Sequence, residues 1–170
     1  MKKRKNIIRF FLLLLLPVIL MVTSCGIRNM LAADSAEYQQ TLEKVNSLDF
    51  EIENDWANPL RDSRINLIGN ANHIKFQKDS VDVFLPFFGV RHSGGGYGTE
   101  GAIVYKGPIK NLRIEEMPDR GRVKMFFEGT HKTEVLSFDI TVFPGGNTST
   151  SVGSSQRDRM GYDGKIVEKY

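Results

Sequence analysis

The chain has 170 residues, of which 41% are hydrophobic and 25% charged, and it contains one cysteine. This is about the length of a single domain of ordinary globular composition, and one thiol excludes a disulfide scaffold or a cysteine-rich zinc site. The whole chain has 23 basic and 20 acidic residues, and residues 1–24 hold five of the basic residues and none of the acidic ones. Beyond residue 24 the chain therefore has 18 basic and 20 acidic residues. The remaining net charge of about −2 argues against nucleic acid as a partner.

The first 25 residues have the pattern of a bacterial export signal. A positive cluster at residues 2–5 precedes an apolar run of 13 residues at 10–22. A membrane-spanning helix needs about 20 apolar residues, so the run predicts a cleaved signal peptide over residues 1–24. The sequence Val22-Thr23-Ser24-Cys25 resembles the lipobox of bacterial lipoproteins. That resemblance implies cleavage before Cys25 and attachment of diacylglycerol to its thiol.

A lipid anchor alone can hold such a chain on a membrane. Burial of each methylene contributes about 0.8 kcal/mol, so two or three acyl chains bind almost irreversibly. The residues after the cysteine, Gly26-Ile27-Arg28-Asn29, lack the aspartate that retains bacterial lipoproteins at the inner membrane. They also lack the acidic run that promotes surface export in the Bacteroidota. The resemblance therefore implies a chain anchored to the outer membrane and facing the periplasm, with the membrane as its first partner.

Residues 25–47 are predicted to hold the lipidated cysteine, a tether over 26–33 and one short helix. Asp34 is the predicted N-cap of the helix, with Glu37 three positions later in a capping-box arrangement. The apolar stripe of the helix consists of Tyr38, Leu42 and Val45. A helix of about three turns is stable only when such a stripe packs against another element.

Residues 48–170 are predicted to form a single β-rich domain, because the hydrophobic period changes to two. The clearest alternating run has Leu136, Phe138, Ile140 and Val142 on one face. Nine further runs centre on residues 50–52, 65–67, 74–76, 81–85, 103–105, 112–114, 123–127, 148–152 and 166. The predicted turns between them are Gly69-Asn70, Lys78-Asp79, Pro118–Gly121, Gly129-Thr130, Pro144–Asn147 and Asp163-Gly164. Connections this short favour antiparallel neighbours, so we expect an all-β meander of about ten strands curled into a barrel, with a two-sheet sandwich as the alternative.

Several segments of the predicted domain resemble DUF4251, a family of Bacteroidota envelope lipoproteins of unknown function. The matching segments are Phe50–Ile52, Asn54–Pro59, Ile65–Leu67, Leu85–Gly89 and Met160–Lys165. The sequence departs from the family pattern at Phe87, where tyrosine is expected, and at Met160-Gly161, where isoleucine-serine is expected. The resemblance implies an envelope lipoprotein with a β-rich domain, and it brings no catalytic residue and no cofactor with it.

The spacing of reactive residues does not indicate a catalytic or metal site. His73, His92 and His131 lie far apart in sequence, without an acidic residue at metal-ligand spacing, and there is no G-x-S-x-G string. Residues 96–101 spell G-x-G-x-x-G, but a strand-like run ended by Gly107-Pro108 follows, where a dinucleotide site needs a helix N-terminus. We therefore expect a protein that is not an enzyme and that uses no cofactor and no metal.

The glycine-rich segment from Arg91 to Gly101 is predicted to be a mobile loop, and the alternative is a flexible lip beside a barrel mouth that binds a ligand. In that alternative, Arg91, His92 and Tyr97 are the candidate ligand-binding residues. Trp56 and the cluster of Phe84, Phe87 and Phe88 are predicted to fill the core.

The function indicated is that of a non-enzymatic binding or envelope-associated lipoprotein, whose further partner is an envelope protein or a small apolar ligand. One alternative is a β-barrel carrier of a small apolar or lipid-like molecule. A hydrolase with an unrecognised site is the less favoured alternative.

Overall fold

One helix and ten strands make up the part of the chain that the computed structural model describes, residues 35–93 and 101–167. The helix, α1, spans Ala36–Ser47, and short 3-10 turns lie at Pro118–Arg120 and Pro144–Gly146. The strands are β1 (Glu51–Pro59), β2 (Ile65–Asn66), β3 (His73–Gln77), β4 (Ser80–Pro86), β5 (Ala102–Pro108), β6 (Lys110–Met117), β7 (Arg122–His131), β8 (Glu134–Val142), β9 (Asn147–Ser154) and β10 (Met160–Val167). Within these two ranges no helix is long and apolar enough to cross a membrane. The predicted all-β class with one short N-terminal helix is confirmed.

The ten strands form one antiparallel sheet that curls into a nearly closed barrel. Its strand order is β5-β4-β3-β1-β10-β9-β8-β7-β6, and β2 adds to the side of β1. Ile109 alone separates β5 from β6, and this almost continuous stretch pairs first with β4 and then with β7. The two edges of the sheet are thereby brought together, which confirms the barrel rather than the sandwich.

The barrel interior is packed with aromatic side chains. The rings of Phe50 and Phe76 stack with centroids 4.7 Å apart, and Phe76 meets Phe127 edge-on at 5.5 Å. Phe127 in turn stacks on Phe138 at 4.5 Å, and all four side chains are fully buried. Burial of so much aromatic area is a major contribution to the stability of the domain.

The helix begins one residue later than its sequence predicts. Ser35 is the N-cap, since its hydroxyl accepts a hydrogen bond from the backbone N–H of Tyr38 at 3.2 Å, so the prediction of Asp34 is wrong. Asp34 itself lies outside the described residues. The buried face of the helix consists of Tyr38, Thr41 and Val45, while Leu42 is only partly buried.

Two predicted turns, at Gly129-Thr130 and Asp163-Gly164, lie instead inside β7 and β10. A Cβ atom on Gly129 would lie 2.6 Å from the Tyr105 ring, and one on Gly164 would overlap the carbonyl oxygen of Glu53. Both glycines are therefore required for close packing between strands rather than for chain reversal. The chain turns after β7 at residues 132–133, where Lys132 has a φ of 55°.

The side chain of Asn72 completes the hydrogen bonding between β1 and β3. These two strands pair only at Glu51 and Ile52. Beyond that point the Oδ1 of Asn72 accepts from the backbone N–H of Asn54 at 2.8 Å, and its Nδ2 donates to the Asn54 carbonyl at 2.9 Å. A buried side-chain amide thus satisfies backbone groups that a neighbouring strand would otherwise pair.

The barrel has two different ends. The helix end carries α1, which contacts the turn at Pro144–Gly146 and the strand β7. The connections at this end are residues 48–50, 78–79, 118–121 and 143–146. The loop end lies at the opposite ends of the strands. Its described segments are residues 60–64, 67–72, 87–93, 132–133 with Glu134 at the start of β8, and 155–159.

Candidate functional site

A buried ion pair between Glu134 and Arg157 holds the loop end together. The Nε of Arg157 donates to Oε1 of Glu134 at 2.7 Å and its Nη2 donates to Oε2 at 2.6 Å, while the two side chains are 4% and 5% exposed. The remaining Nη1 donates to the carbonyl of Ala102 at 2.9 Å, and the hydroxyl of Ser154 donates to Oε1. Every nitrogen of this guanidinium therefore has an acceptor, which a buried charge requires.

The carboxyl group of Glu134 is held in its charged form. Burial on its own would raise its pKa, but hydrogen bonds from Arg157 and Ser154, with the charges of Arg157 and Arg91, outweigh this effect. The pKa of Glu134 therefore lies below its ordinary value. A carboxylate in this state is a weak base, so it is suited to fixing loops in place rather than to moving protons at neutral pH.

A second guanidinium, that of Arg91, shares the same carboxylate. Its Nη2 donates to Oε2 of Glu134 at 3.1 Å, and the backbones of Arg91 and Arg157 form an antiparallel bridge. The buried Nε of Arg91 has no acceptor among the residues that the structure describes. One carboxylate thus faces two guanidiniums, which leaves the cluster with an excess of positive charge.

Asp158 fixes the next part of the same loop. Its carboxylate lies 2.8 Å from Nε2 of His92 and accepts from the backbone N–H of Val90 at 3.2 Å, with the Nε of Arg61 at 3.8 Å. The hydrogen bonds from His92 and Val90 hold the pKa of Asp158 below its ordinary value. Two backbone hydrogen bonds, from His92 to the Gln156 carbonyl and from Asp158 to the Val90 carbonyl, reinforce this connection between segments 87–93 and 155–159.

Aromatic side chains pack next to the ion pair on the side of the barrel interior. The guanidinium of Arg157 lies 5.0 Å from the centre of the Phe87 ring, within the range of a cation–π contact. The hydroxyl of Tyr162 donates to the carbonyl of Pro86 at 2.8 Å, and burial raises the pKa of this hydroxyl. The beginning of segment 87–93 is therefore packed against the barrel interior.

Large apolar side chains are exposed at the loop end. In the described part of the chain the exposed large hydrophobic residues are Leu60, Ile68, Phe84, Phe88, Val90 and Val135. Each one lies in a loop-end segment or within two or three residues of the loop-end terminus of its strand. Exposed apolar side chains gathered on one end of a domain are typical of an interaction surface.

The structure places two of the three predicted ligand-binding residues at the loop end. Arg91 and His92 both lie at the loop end and contact Glu134 and Asp158, respectively. The third, Tyr97, lies outside the described residues, as do Cys25 and residues 94–100 of the glycine-rich segment. The placement of Arg91 and His92 leaves their role in ligand binding a prediction.

The three histidines remain apart. His73 begins β3 and lies 3.4 Å from Asp82, His92 lies at the loop end, and His131 ends β7. Across ranges 35–93 and 101–167, no group of three or more histidine, aspartate or glutamate side chains lies close enough to hold a metal ion.

The prediction that the aromatic cluster fills the core is wrong for Phe84 and Phe88, which are exposed. Phe84 alternates with the buried residues Val83 and Leu85 on β4, so it points outward. Phe87 is partly buried against the core. Trp56 is half-buried outside the core cluster, with the guanidinium of Arg64 4.4 Å above its ring, so its predicted place in the core is also wrong.

Sequence reasoning missed Glu134, Ser154, Arg157 and Asp158. One signal was available, because Glu134 occupies the inward-facing register of β8 two positions before Leu136. A charged residue on the apolar face of a strand indicates a buried partner. Arg157 and Asp158 lie in an irregular connection between β9 and β10, where no periodicity marks which side chains are buried.

Comparison with known proteins identifies one family and one fold. The model of a family described as "Domain of unknown function (DUF4251)" matches residues 32–166. The crystal structure of a DUF4251 family protein from Bacteroides eggerthii is similar in fold, with a TM-score of 0.61 and 14% sequence identity. The match covers 78% of this chain and 88% of that one. No curated protein matches the chain in sequence.

Proposed function

Because the chain belongs to the DUF4251 family, a family defined as a domain of unknown function, we propose its role from the geometry of the loop end. We propose that the protein is a non-enzymatic binding module of the bacterial envelope. Cys25 carries a lipid that anchors the chain to the outer membrane, facing the periplasm. The loop end is the surface on which it binds its partner.

The observation that carries this proposal is the segregation of exposed apolar residues. All six large exposed hydrophobic side chains of the described residues lie at or near the loop end. The ion pair of Glu134 with Arg157 and the contact of Asp158 with His92 fix the segments on which several of them stand. A surface held in one conformation before binding loses less entropy when a partner docks.

The charged groups at the loop end support binding rather than catalysis. Glu134 and Asp158 both have lowered pKa values because cationic or hydrogen-bond donors surround them. The Ser154 hydroxyl donates to a carboxylate that is already paired with arginine and whose pKa is lowered, so its hydrogen-bond acceptor is too weak a base to activate it as a nucleophile.

The packed interior supports an external partner over a ligand carried inside the barrel. A molecule in the lumen would have to displace the stack of Phe50, Phe76, Phe127 and Phe138, whose rings lie 4.5–5.5 Å from their neighbours. Opening a cavity of that size costs several kcal/mol. The carrier alternative therefore has less support.

Anchoring is tested with Cys25→Ser, and Asn29→Ala serves as the control outside the lipobox. The serine variant is expected to incorporate no radiolabelled palmitate and to move from the membrane fraction to soluble or uncleaved protein. The control is expected to behave as the wild type. A serine variant that stays labelled would overturn the anchor.

Docking is tested by photocrosslinking in cells. A crosslinking amino acid is placed at Phe88 on the loop end, and the control position is Lys78 on the helix end. Defined adducts are expected only from position 88. Adducts from position 78 alone would place the binding surface at the helix end and would contradict the proposal.

A further inference from the structure

We propose that the partner of the loop end is an anionic phospholipid bilayer, on which the barrel lies with Leu60, Ile68, Phe88 and Val90 in the interfacial region. This inference rests on the function proposed above, because it names the surface to which that loop end binds. The occupant is the lipid surface itself, recognised by apolar insertion together with positive charge.

The exposed apolar side chains project from separate segments at one end of the barrel. Leu60 belongs to segment 60–64, Ile68 to 67–72, and Phe88 and Val90 to 87–93. Side chains that rise from several loops on the same end can enter a planar bilayer surface together. Peripheral proteins bury such groups by about 5–10 Å at the boundary between headgroups and acyl chains.

The charge of the loop end is complementary to an anionic surface. Its described segments carry six basic and three acidic residues, a formal charge of +3 with histidine neutral. The basic residues are Arg61, Arg64, Arg91, Lys132, Arg157 and Arg159, and the acidic residues are Asp62, Glu134 and Asp158. Glu134 and Asp158 are buried, and they pair with cationic groups of the same end, Arg157 and Arg91 in one case and His92 and Arg61 in the other. The exposed charged residues are Arg61, Arg64, Lys132, Arg159 and Asp62, an excess of +3. Asp163 of β10 pairs with Arg64 at 3.1 Å and lowers that excess to +2. Each arginine or lysine near an anionic lipid surface contributes about 1 kcal/mol to binding.

The helix end has the opposite character. Its helix and described connections carry three basic and five acidic residues, a formal charge of −2. The basic residues are Lys44, Lys78 and Arg120, and the acidic residues are Glu37, Glu43, Asp49, Asp79 and Asp119. A domain whose net charge beyond residue 24 is about −2 would be repelled by an anionic membrane if its charges were evenly spread. The segregation of charge gives the loop end an attraction that the whole domain lacks.

A second copy of the chain fits the loop end less well. Two loop ends in contact would bring the arginines of both copies together, which is repulsive. The helix end of another copy has complementary charge, but none of its described residues is an exposed large hydrophobic residue that could cover Leu60 or Phe88. A bilayer satisfies both the apolar and the charged groups.

The length of the chain before the helix allows this arrangement. Residues 26–34 separate Cys25 from the N-cap, and nine residues reach about 30 Å when extended. The nine residues of β1 rise about 30 Å along the strand, and less along the axis of a barrel whose strands are tilted. A lipid on Cys25 therefore leaves enough chain for the loop end to reach the same bilayer.

The test uses the complete lipidated protein in vesicles of phosphatidylcholine with phosphatidylglycerol. Because Cys25 is the one cysteine of the chain and is blocked by lipid, each new cysteine is a unique labelling site. The variants Leu60→Cys and Phe88→Cys report on the loop end, while Lys78→Cys and Asp119→Cys are matched controls on the helix end. Each carries an environment-sensitive fluorophore, and nitroxide lipids in the same vesicles quench whatever enters the bilayer.

Labels at positions 60 and 88 are expected to shift to the blue and to be quenched about threefold more strongly than labels at 78 and 119. High salt or vesicles of phosphatidylcholine alone are expected to weaken that quenching, since part of the attraction is electrostatic. The lipid anchor keeps all variants on the vesicles, so loss of membrane binding does not confuse the result.

Equal, water-like emission from all four labels would overturn the proposal. If position 88 stays in water on vesicles but still forms protein adducts in cells, the lipid proposal fails and the binding module stands. If wild-type protein takes up the thiol label, Cys25 is free and the anchor in the proposed function fails instead.

Discussion

Replacing Glu134 by glutamine is expected to lower the free energy of unfolding by about 3–5 kcal/mol. The amide keeps the size of the side chain, but it leaves the buried guanidinium of Arg157 and the nearby Arg91 without a negative partner. Breaking a buried pair costs this much because an uncompensated charge remains in the interior. A domain of this size has a total stability of about 5–15 kcal/mol, so the melting temperature should fall by about 10–15 °C.

The assay is urea and thermal unfolding of four proteins followed by circular dichroism: wild type, Glu134→Gln, Arg157→Met and the double variant. The loss of unfolding free energy in the double variant is expected to be smaller than the sum of the two single losses, by about 1 kcal/mol or more. The reason is that neither charge of the pair then remains without its partner. The matched control is Asp139→Asn, which breaks the exposed pair with Lys124, whose charged atoms lie 3.8 Å apart. That control should change stability by about 0.5 kcal/mol or less.

Two results would refute this reasoning. One is a Glu134→Gln protein within about 1 kcal/mol of wild type, which would mean that water reaches Arg157 readily. The other is a cycle in which the two single losses simply add. Either result would show that the ion pair does not stabilise the loop end as a unit.

Three further predictions concern single groups. Asn72→Ala should lower the free energy of unfolding by about 2–4 kcal/mol in urea denaturation, because the backbone groups of β1 that the amide satisfies become unpaired in a buried place. Gly129→Ala should cost about 1–3 kcal/mol, since its methyl would strike the Tyr105 ring, whereas Gly101→Ala, with no described atom within 4 Å of the new Cβ, should be close to neutral. The pKa of Glu134 is lower in the folded state, so its stabilisation is present above the ordinary glutamate pKa of about 4.3 and is lost as pH falls through the lower value. Glu134→Gln should therefore show a smaller loss of stability in acid than wild type in melting curves recorded against pH.

Much of the fold was predictable because a half-buried strand shows its burial in its sequence. The alternation of Leu136, Phe138, Ile140 and Val142 marks the inward face of β8, and similar runs locate the other strands. What the alternation does not show is which residues touch across the barrel. Gly129 and Gly164 resemble turn residues in sequence, and only the positions of Tyr105 and Glu53 explain why they lie in strands.

The candidate site was predictable only in its position. Arg91 and His92 were placed at a barrel mouth because glycine follows them, and they do lie at the loop end. Their partners could not be found in the same way, because Glu134 lies 43 residues from Arg91 and Asp158 lies 66 residues from His92. Pairs at such separation are created by strand register, which one sequence does not reveal.

The pairing of β1 with β10 affects how the domain folds. The first and last strands of the barrel are hydrogen-bonded neighbours over almost their whole length, from Glu51 with Val167 to Pro59 with Met160. Hairpins within the chain can form early, but this contact must join residues about a hundred positions apart, which makes closure slow. The barrel therefore cannot be completed before residues 160–167 are available. If the chain is exported from its amino end, as the proposed function requires, it stays incompletely folded until β10 has crossed the membrane.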